Sequence, residues 1–301
     1  MVYLLLMKYH IGGKISKIQL TTSDQLKRHI KESSRISKKI QGIRMKIIIF
    51  IMNPDKNYER RIALHELLEK TPFEFKFMSI NDDIELTPVA IAKNHDSKRA
   101  IDALGRDLTR GELASTLNHM LCFKTFLNSN NDIAIILEDD VDFIIDEFVC
   151  VIDLLTKIID ESKLHVYLLT PVISYLNFNS IDLNKDYKVV EIVQSLDSAG
   201  YILNRKTAEK LLNANSKAWF IMDDWVRYKR HANVSVFGVI PPIVNQNLSA
   251  FKSNLMFSRN NAVKNKTLKY VITRITYKII ADVKKYCWLM PFKGYVRNRD
   301  V

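Results

Sequence analysis

The most informative stretch of this chain is Ile133-Ala134-Ile135-Ile136-Leu137-Glu138-Asp139-Asp140-Val141-Asp142. Five apolar residues rich in β-branched types predict a buried strand, and four carboxylates follow at its end. In open α/β sheets, the carboxyl ends of the strands face the crevice in which ligands bind. Clustered carboxylates repel one another unless a cation or hydrogen-bond donors compensate. The stretch therefore indicates a metal site, with a solvated acidic turn as the plainer interpretation.

Mg²⁺ or Mn²⁺ carrying a substrate phosphate would suit these hard oxygen ligands. The chain contains eight glycines, and none of them forms a GxGxxG or P-loop pattern. A glycine cradle for phosphates is therefore not expected. A metal ion or basic side chains would have to bind the phosphates of any nucleotide.

Charge is unevenly distributed along the 301 residues, whose net charge is +12. Residues 1–46 hold 11 basic and 2 acidic residues, and residues 252–301 hold 12 and 2. The body between them holds 22 basic and 29 acidic residues. Basic flanks attract polyanions, either nucleic acid or an anionic membrane surface. No nucleic-acid partner is expected, because the basic residues are not interleaved with stacking aromatics on a recognisable module.

Three scattered cysteines, Cys122, Cys150 and Cys287, imply neither a zinc site nor a disulfide framework, which fits a reducing cytoplasm. The apolar residues 1–7 are far fewer than a membrane span needs and lack the basic leader of a signal peptide. Because no stretch elsewhere reaches 18 apolar residues, a membrane-crossing protein is not expected.

Hydrophobic periodicity predicts alternating strands and helices, and hence an α/β fold whose sheet is dominated by parallel strands. The polar residues 81–110 are expected to be irregular. Strands are predicted at 45–52, 73–77, 133–137, 165–169, 187–194, 199–203 and 234–240. Helices are predicted at 58–70, 112–127, 144–161, 205–213 and 225–231.

Three regions are predicted: a basic appendage over residues 1–44, the α/β domain over 45–250, and a basic amphipathic tail over 251–301. In the tail, apolar residues recur at helical spacing among lysines and arginines, and Trp288 and Phe292 follow. Such a segment is typical of helices that lie in a membrane interface. A helix that packs its apolar face on the core would show the same pattern.

Six short motifs follow one another between residues 45 and 250. In this order and spacing they resemble glycosyltransferase family 25, the lipooligosaccharide galactosyl- and glucosyltransferases of Gram-negative bacteria. The motifs are Asn53, Asp55 and Glu59-Arg60-Arg61; Gly111-Glu112 with Asn118-His119; Leu137-Glu138-Asp139-Asp140; Ala199-Gly200-Tyr201-Ile202-Leu203 with Ala208 and Leu211-Leu212; Asp223-Asp224; and Pro241-Pro242 with Gln246.

The chain departs from the family pattern at three places. Family members usually show Asn-Leu where this chain has Asn53-Pro54, and a serine where it has Asn118. They also commonly show Gly-Cys where it has Ala114-Ser115-Thr116. The match of Leu137-Glu138-Asp139-Asp140 is clean.

The resemblance implies a GT-A-like nucleotide-sugar transferase fold and an inverting transfer of a hexose, galactose or glucose. The donor would be a UDP-sugar, and the acceptor a lipooligosaccharide or lipopolysaccharide glycan. Mn²⁺ or Mg²⁺ would stabilise the charge on the leaving UDP. Because such an acceptor is lipid-linked, a cytoplasmic enzyme peripheral to the inner membrane is expected, with its tail on the anionic surface.

The acidic motif would hold this metal, with Asp140 as the first ligand. Glu138 and Asp139 would orient the ribose or a metal-bound water. The segment Asp140-Val141-Asp142 also reads as a DxD motif, which makes Asp142 a second candidate ligand.

Inversion in one step also needs a general base that removes the proton of the acceptor hydroxyl. Asp223 and Asp224, which match the family's later acidic motif, are the candidates, with Asp223 favoured. An aspartate here would equally serve as the N-cap of the predicted helix 225–231.

Arg60, Glu112 and His119 are further candidates for donor binding. Arg60 could reach the donor phosphates or remain a solvated helix charge. Glu112 at a helix start suits the helix dipole without any catalytic role, and His119 suits a histidine buried in the core.

Two other functions fit parts of the sequence. A metal-dependent nuclease or phosphotransferase would use residues 138–142 for two-metal chemistry, although no lysine or histidine lies within that motif. A non-catalytic membrane adaptor would use only the basic ends. Hydrolysis of a UDP-sugar with and without Mn²⁺ separates these functions from sugar transfer.

Overall fold

A mixed sheet of nine strands forms the centre of the chain in a computed structural model that describes residues 45–53, 57–78, 87–247 and 268–298. The predicted appendage 1–44 lies outside the described residues, as does the start of the predicted tail up to residue 267. In chain order the described strands are β1 Ile47–Met52, β2 Glu74–Met78, β3 Ile133–Glu138, β4 Val141–Asp142, β5 His165–Leu168, β6 Ser174–Asp182, β7 Lys188–Gln194, β8 Gly200–Asn204, β9 Ser235–Ile240, β10 Asn245–Gln246 and β11 Tyr295–Arg297.

Described helices lie in five of the ten connections between these strands. A π-helical turn, Lys285–Leu289, joins the last two helices. The described helices are α1 Tyr58–Leu68, α2 Pro88–Asn94, α3 Ser97–Leu104, α4 Arg110–Leu127, α5 Ile145–Thr156, α6 Arg205–Ala214, α7 Trp225–His231, α8 Leu268–Lys284 and α9 Met290–Phe292.

The central sheet has the order β11-β6-β7-β9-β5-β8-β3-β1-β2, and β4 pairs with β10 in a separate two-stranded sheet. Strands β1, β2, β3, β5, β6 and β9 run in one direction, and β7, β8 and β11 run in the other. The sequence analysis missed β6. The connection of β6 to β7, residues 183–187, is too short for a parallel crossover, so these two strands pair antiparallel.

The expectation that residues 81–110 are irregular is wrong for residues 88–104, which form α2 and α3. Side chains cap the starts of both helices, Thr87 for α2 and Asp96 for α3. Gly105 ends α3 in the left-handed conformation, with φ of 71°. Helix α2 buries none of its residues, so hydrophobic periodicity does not predict it. Helix α3 does have an apolar stripe, with Ala100 buried and Ala103 and Leu104 packed on the core, and the sequence analysis did not recognise it among the polar residues of this region.

Both faces of the central sheet are buried. In β3, Ile136 contributes to the hydrophobic cluster on one face and Ile135 to the cluster on the other. Phe123 of α4 packs into the first cluster, and Phe148 of α5 packs into the second. Burial on both faces explains why the apolar runs of the central strands are uninterrupted.

The tail combines a solvent-exposed helix with a strand of the central sheet. β11 pairs with β6 at the sheet edge, and Leu289 is buried. In α8, by contrast, Ile272, Ile275 and Ile279 are each more than half exposed. Helices among the described residues are all too short or too polar to cross a bilayer.

Candidate active site

Asp139 fastens the end of β3 to the connection that follows β1. Its carboxylate accepts hydrogen bonds from Nδ2 of Asn53 (2.9 Å) and Nδ2 of Asn57 (2.8 Å). Nη1 of Arg60 donates a third, at 2.9 Å. The contacts arise because β1 and β3 are parallel neighbours, so that the residues after each strand meet at one edge of the sheet. Both carboxylate oxygens of Asp139 are thereby occupied.

Replacing Asp139 by alanine is expected to lower the free energy of unfolding by about 2–3 kcal/mol, because three donors, one of them charged, lose a buried acceptor. Asp142→Ala is the matched control: this residue is exposed, and a change of at most about 0.5 kcal/mol is expected. Urea unfolding followed by circular dichroism measures both variants. Equal losses in the two would contradict an anchoring role for Asp139.

Asp140, the next residue, carries a carboxylate oxygen without a partner. Its Oδ1 is buried and accepts no hydrogen bond, while its Oδ2 lies 4.0 Å from Nη1 of Arg60. Burial and the charge of Asp139 raise the pKa of Asp140, against the opposing effects of Arg60 and a hydrogen bond from Gln246. An unpaired buried carboxylate oxygen is costly unless a proton or cation reaches it. Asp140 Oδ1 is thus well placed as a ligand atom.

Asp197 and Ser198, which the sequence analysis did not single out, lie beside this motif. They precede β8, the antiparallel neighbour of β3, and the N–H of Glu138 donates to the carbonyl of Ala199 at 2.8 Å. The hydroxyl of Ser198 donates to Oδ1 of Asp223 at 2.6 Å and lies 3.4 Å from Oε1 of Glu138. A polar Asp-Ser pair immediately before an apolar strand was the available sequence signal.

Glu138, Asp140, Asp197 and Asp223 form what we call the acidic cluster. Burial raises the pKa of Glu138 well above its usual range, and the nearby charges of Asp223 and Asp140 reinforce the shift. Burial likewise raises the pKa of Asp197 to about 6, with contributions from the same two aspartates. Carboxylates that raise one another's pKa in this way are typical of sites that bind a cation or exchange a proton.

His119 is completely buried and adjoins the cluster. Its Nδ1 lies 2.7 Å from the hydroxyl of Tyr201, and its Nε2 lies 3.4 Å from Oγ of Ser198. Burial lowers the pKa of His119 to about 3, so its imidazole is neutral at pH 7. In the tautomer that carries its proton on Nε2, the ring accepts from Tyr201 and donates to Ser198. His119 is therefore placed to orient the hydroxyl of Ser198, which donates a hydrogen bond to Asp223.

The structure separates Asp223 from Asp224, which the sequence analysis left as alternative bases. Asp224 is the N-cap of α7: its carboxylate accepts from the backbone N–H of Arg227 at 3.0 Å and pairs with Nη1 of that residue at 2.8 Å. Asp223 instead accepts from Ser198 within the acidic cluster. The helix-cap interpretation thus describes Asp224, and a role as general base stays a prediction for Asp223.

Two predicted donor-binding residues remain, Arg60 and Glu112, and only Arg60 lies at the acidic cluster. Arg60 lies at the cluster, held by Asp139. The carboxylate of Glu112 is bound by both Nη atoms of Arg106 at 2.7 Å and by the N–H of Thr109 at 2.9 Å, in a capping box at the start of α4. A donor-binding role for Glu112 stays a prediction.

A metal ion that arrives with a nucleotide fits the acidic cluster. Ions of the Mg²⁺ type take one or two carboxylates from such proteins and complete their coordination with phosphate oxygens and water. Asp140 and Glu138 would hold the ion. Over the described ranges, no three His, Cys, Asp or Glu side chains are grouped to hold one by themselves. Asp142 is exposed, and its Oδ1 accepts from the N–H of Phe143 at 2.8 Å.

A comparison with protein families finds one match over most of this site. The model of the family described as Glycosyltransferase family 25 (LPS biosynthesis protein) matches residues 46–226. This range includes the whole acidic cluster and Arg60. No curated protein matches the sequence.

Two solved structures show weak likenesses to the chain. A CMP:2-keto-3-deoxy-manno-octonic acid synthetase complexed with CTP has a TM-score of 0.34 and 12% identity, over 64% of this chain and 88% of that one. The inositol-1-phosphate CTP transferase from T. maritima has a TM-score of 0.30 and 11% identity, over 85% and 83%. Likenesses of this size carry no argument about function.

Proposed function

This chain belongs to glycosyltransferase family 25, and on that premise we propose a metal-assisted, inverting transfer of a hexose from a UDP-sugar to a lipopolysaccharide or lipooligosaccharide glycan. Family membership makes the protein a glycosyltransferase of lipopolysaccharide biosynthesis. The finer proposal is carried by the acidic cluster at the carboxyl end of β3. The cluster offers an unpaired buried oxygen of Asp140 for a cation, and a second carboxylate, Asp223, held by Ser198.

The donor side of the site consists of Asp140, Glu138 and Arg60. A bound divalent cation would neutralise the charge that develops on the leaving diphosphate. Asp140 and Glu138 would hold that cation. Arg60, whose guanidinium is fixed by Asp139, adds a positive charge beside them.

The acceptor side of the site is Asp223. As the acceptor oxygen bonds to the anomeric carbon, the bond from that carbon to the phosphate oxygen breaks and UDP leaves. Asp223 takes the proton of the acceptor hydroxyl in the same step. Ser198 holds the carboxylate of Asp223 in one orientation, and the neutral His119 holds Ser198. Attack opposite the leaving group inverts the anomeric configuration.

A panel of UDP-hexoses tests this function directly. With Mn²⁺ and a deacylated lipooligosaccharide, we expect UDP release from UDP-galactose or UDP-glucose, and we expect a chelator to stop it. Release that is indifferent to the chelator would remove the metal from the proposal. Failure of every UDP-hexose would contradict the donor class, and cleavage of nucleic acid by the same preparation would favour the nuclease alternative.

We also propose that the enzyme lies on the anionic inner-membrane surface through α8. Its side chains Ile272, Ile275, Ile279 and Val283 fall on one helix face, and each is more than half exposed. Trp288 and Phe292, which follow the helix, are also more than half exposed. Apolar side chains in a strongly basic segment are typical of helices that bind an anionic bilayer.

The double variant Ile275→Ser/Ile279→Ser is expected to weaken binding to phosphatidylglycerol vesicles by about tenfold or more, because two apolar side chains no longer enter the bilayer. Val89→Ser, at a side chain that is 80% exposed on α2, is the matched control and should change nothing. Co-sedimentation at rising salt separates the apolar part of vesicle binding from the electrostatic part, because salt screens the attraction between the basic residues and the anionic lipid. Wild-type binding by the double variant would contradict the membrane face. Removing residues 262–301 is less specific, because β11 would be lost.

A further inference from the structure

A groove whose lining includes Asp224, the residue after Asp223, has a distinct chemistry. The groove, which we call the arginine groove, has a volume of about 620 Å³ and is bounded by α3, α7 and α8. Four arginines line it against two aspartates, Asp102 and Asp224. The arginines are Arg99, Arg227, Arg230 and Arg274.

Two of these arginines are held on aromatic rings. The guanidinium of Arg99 lies 3.9 Å from the ring centroid of Trp219, and that of Arg230 lies 3.9 Å from the centroid of Tyr277. Stacking fixes a guanidinium plane without using its in-plane N–H groups, which are the donors that bind carboxylate or phosphate in pairs. The groove therefore contains two guanidinium groups held against aromatic rings, and one of these rings, that of Tyr277, is partly exposed.

The excess positive charge of the groove does not come from Arg227. That side chain pairs with Asp224 and donates to the carbonyl of Ala103 at 3.0 Å, so its role is to brace α7 against α3. The field of the arginines is felt at His231, which also lines the groove. Burial lowers the pKa of His231, and the charges of Arg99, Arg230 and Arg227 lower it further.

Helix α8, the third helix that bounds the groove, packs against Gly105 at the end of α3. Gly105 has φ of +71°, and a β-carbon there would come within 2.7 Å of the ring of Tyr270 on α8. The absence of a side chain at Gly105 lets α8 approach this closely. Tyr270 in turn accepts a hydrogen bond from Arg274 at 3.1 Å, so the contact also orients that arginine.

The arginine groove meets the acidic cluster along two segments of the chain. Leu196 lines the groove, and the next residue, Asp197, belongs to the cluster. Asp224 lines the groove, and the residue before it, Asp223, is the base of the proposed reaction. At both places the chain runs directly from a residue of the groove to a residue of the acidic cluster.

We propose that the arginine groove binds the acceptor, and that this acceptor is a saccharide carrying an anionic substituent, phosphate or carboxylate. The inference rests on the proposed function for the identity of the reaction. Arg99, Arg230 and Arg274 recognise the anionic group, while the ring of Tyr277, which is 43% exposed, offers apolar surface to a sugar.

Calorimetric titration with three probes tests the proposal: a hexose 6-phosphate, a hexuronic acid and the neutral methyl hexoside. The wild-type protein is expected to bind at least one anionic probe about tenfold or more tightly than the neutral one. The two anionic probes distinguish phosphate from carboxylate. Equal binding of all three probes, or binding of none, would overturn the proposal.

Variants assign the preference to the groove. Arg230→Gln and Arg274→Gln are each expected to lose about tenfold in affinity for the anionic probe, and Arg230→Lys to recover part of it. Lys210→Gln removes an exposed positive charge on α6 and is the matched control, with affinity unchanged. A preference that survives in both arginine variants would overturn the assignment, and thermal melting identifies any variant that has failed to fold.

Titration of UDP on the same proteins separates this inference from the proposed function. If the arginine variants lose UDP rather than the anionic saccharide, the groove is a donor site and the inference fails. If the wild-type protein binds the anionic saccharide in the groove but neither binds UDP nor hydrolyses any UDP-hexose, the proposed function fails and the saccharide site stands.

Discussion

Replacing Asp223 by asparagine is expected to lower the rate of sugar transfer by about 10²–10⁴-fold, with the affinity for UDP retained. Asparagine keeps the shape of the side chain, and its amide oxygen can still accept the hydrogen bond that Ser198 donates at 2.6 Å. The lost property is the capacity to take a proton from the acceptor hydroxyl. Single-turnover transfer to a fixed acceptor measures the rate, and calorimetry with UDP measures donor binding.

Asp224→Asn is the matched control, since it makes the same chemical change one residue away. Asparagine caps a helix as well as aspartate does, so α7 should persist, and only the ion pair with Arg227 is lost. We expect a loss of less than about tenfold in rate, because general-base catalysis is untouched. Normal transfer by Asp223→Asn would place the base elsewhere. Asp197 in the same cluster, with its pKa raised to about 6, would then be tested next.

The carboxylate motif of the site could be predicted from the sequence because it lies within one local pattern. A run of five apolar residues predicts β3, and the residues that follow a strand must lie at its carboxyl end. The observed strand, Ile133–Glu138, confirms this prediction. Asn53 after β1 meets Asp139 after β3 for the same reason, since a parallel pairing of the two strands places both ends at one edge.

The other half depends on a pairing that no local pattern contains. Asp197 and Ser198 reach the cluster because β8 runs antiparallel to β3, so that the start of one strand lies beside the end of the other. A strand's direction within a sheet is set by packing and by its connections, not by its own periodicity. The sequence also left open which of Asp223 and Asp224 faces the site. The N-cap can be identified only once the first residue of the helix is known, and the structure shows that α7 begins at Trp225.

The tail shows the same division between local and non-local information. The helical period of its apolar residues predicts α8, and the structure confirms a helix over Leu268–Lys284. The period does not say which face contacts the body. That face is set by the fit of Tyr270 against Gly105, a contact between segments more than 160 residues apart, which leaves Ile275 and Ile279 exposed.

Asp140→Asn is expected to lower transfer by about 100-fold or more at saturating Mn²⁺, because a neutral amide cannot replace the charged ligand that supports the leaving diphosphate. The fold should survive, since asparagine is isosteric and Asp140 Oδ1 has no hydrogen-bond partner to lose. Asp142→Asn, the other register of the DxD pattern, is the matched control. Its exposed carboxylate predicts transfer near the wild-type rate.

A second measurement, the unfolding temperature of the metal-free protein against pH, tests the ligand without any turnover. Burial raises the pKa of Asp140 in the folded chain above its ordinary value of 3.8, so folding favours the protonated form. This contribution to stability is complete below the ordinary pKa and is lost as pH rises through the raised pKa. Relative to Asp140→Asn, the wild-type protein should therefore lose unfolding temperature from pH 4 toward neutrality. Mn²⁺ should restore it in the wild type only. Equal rescue of the variant, together with more than about a tenth of the wild-type rate, would mean that another residue holds the metal.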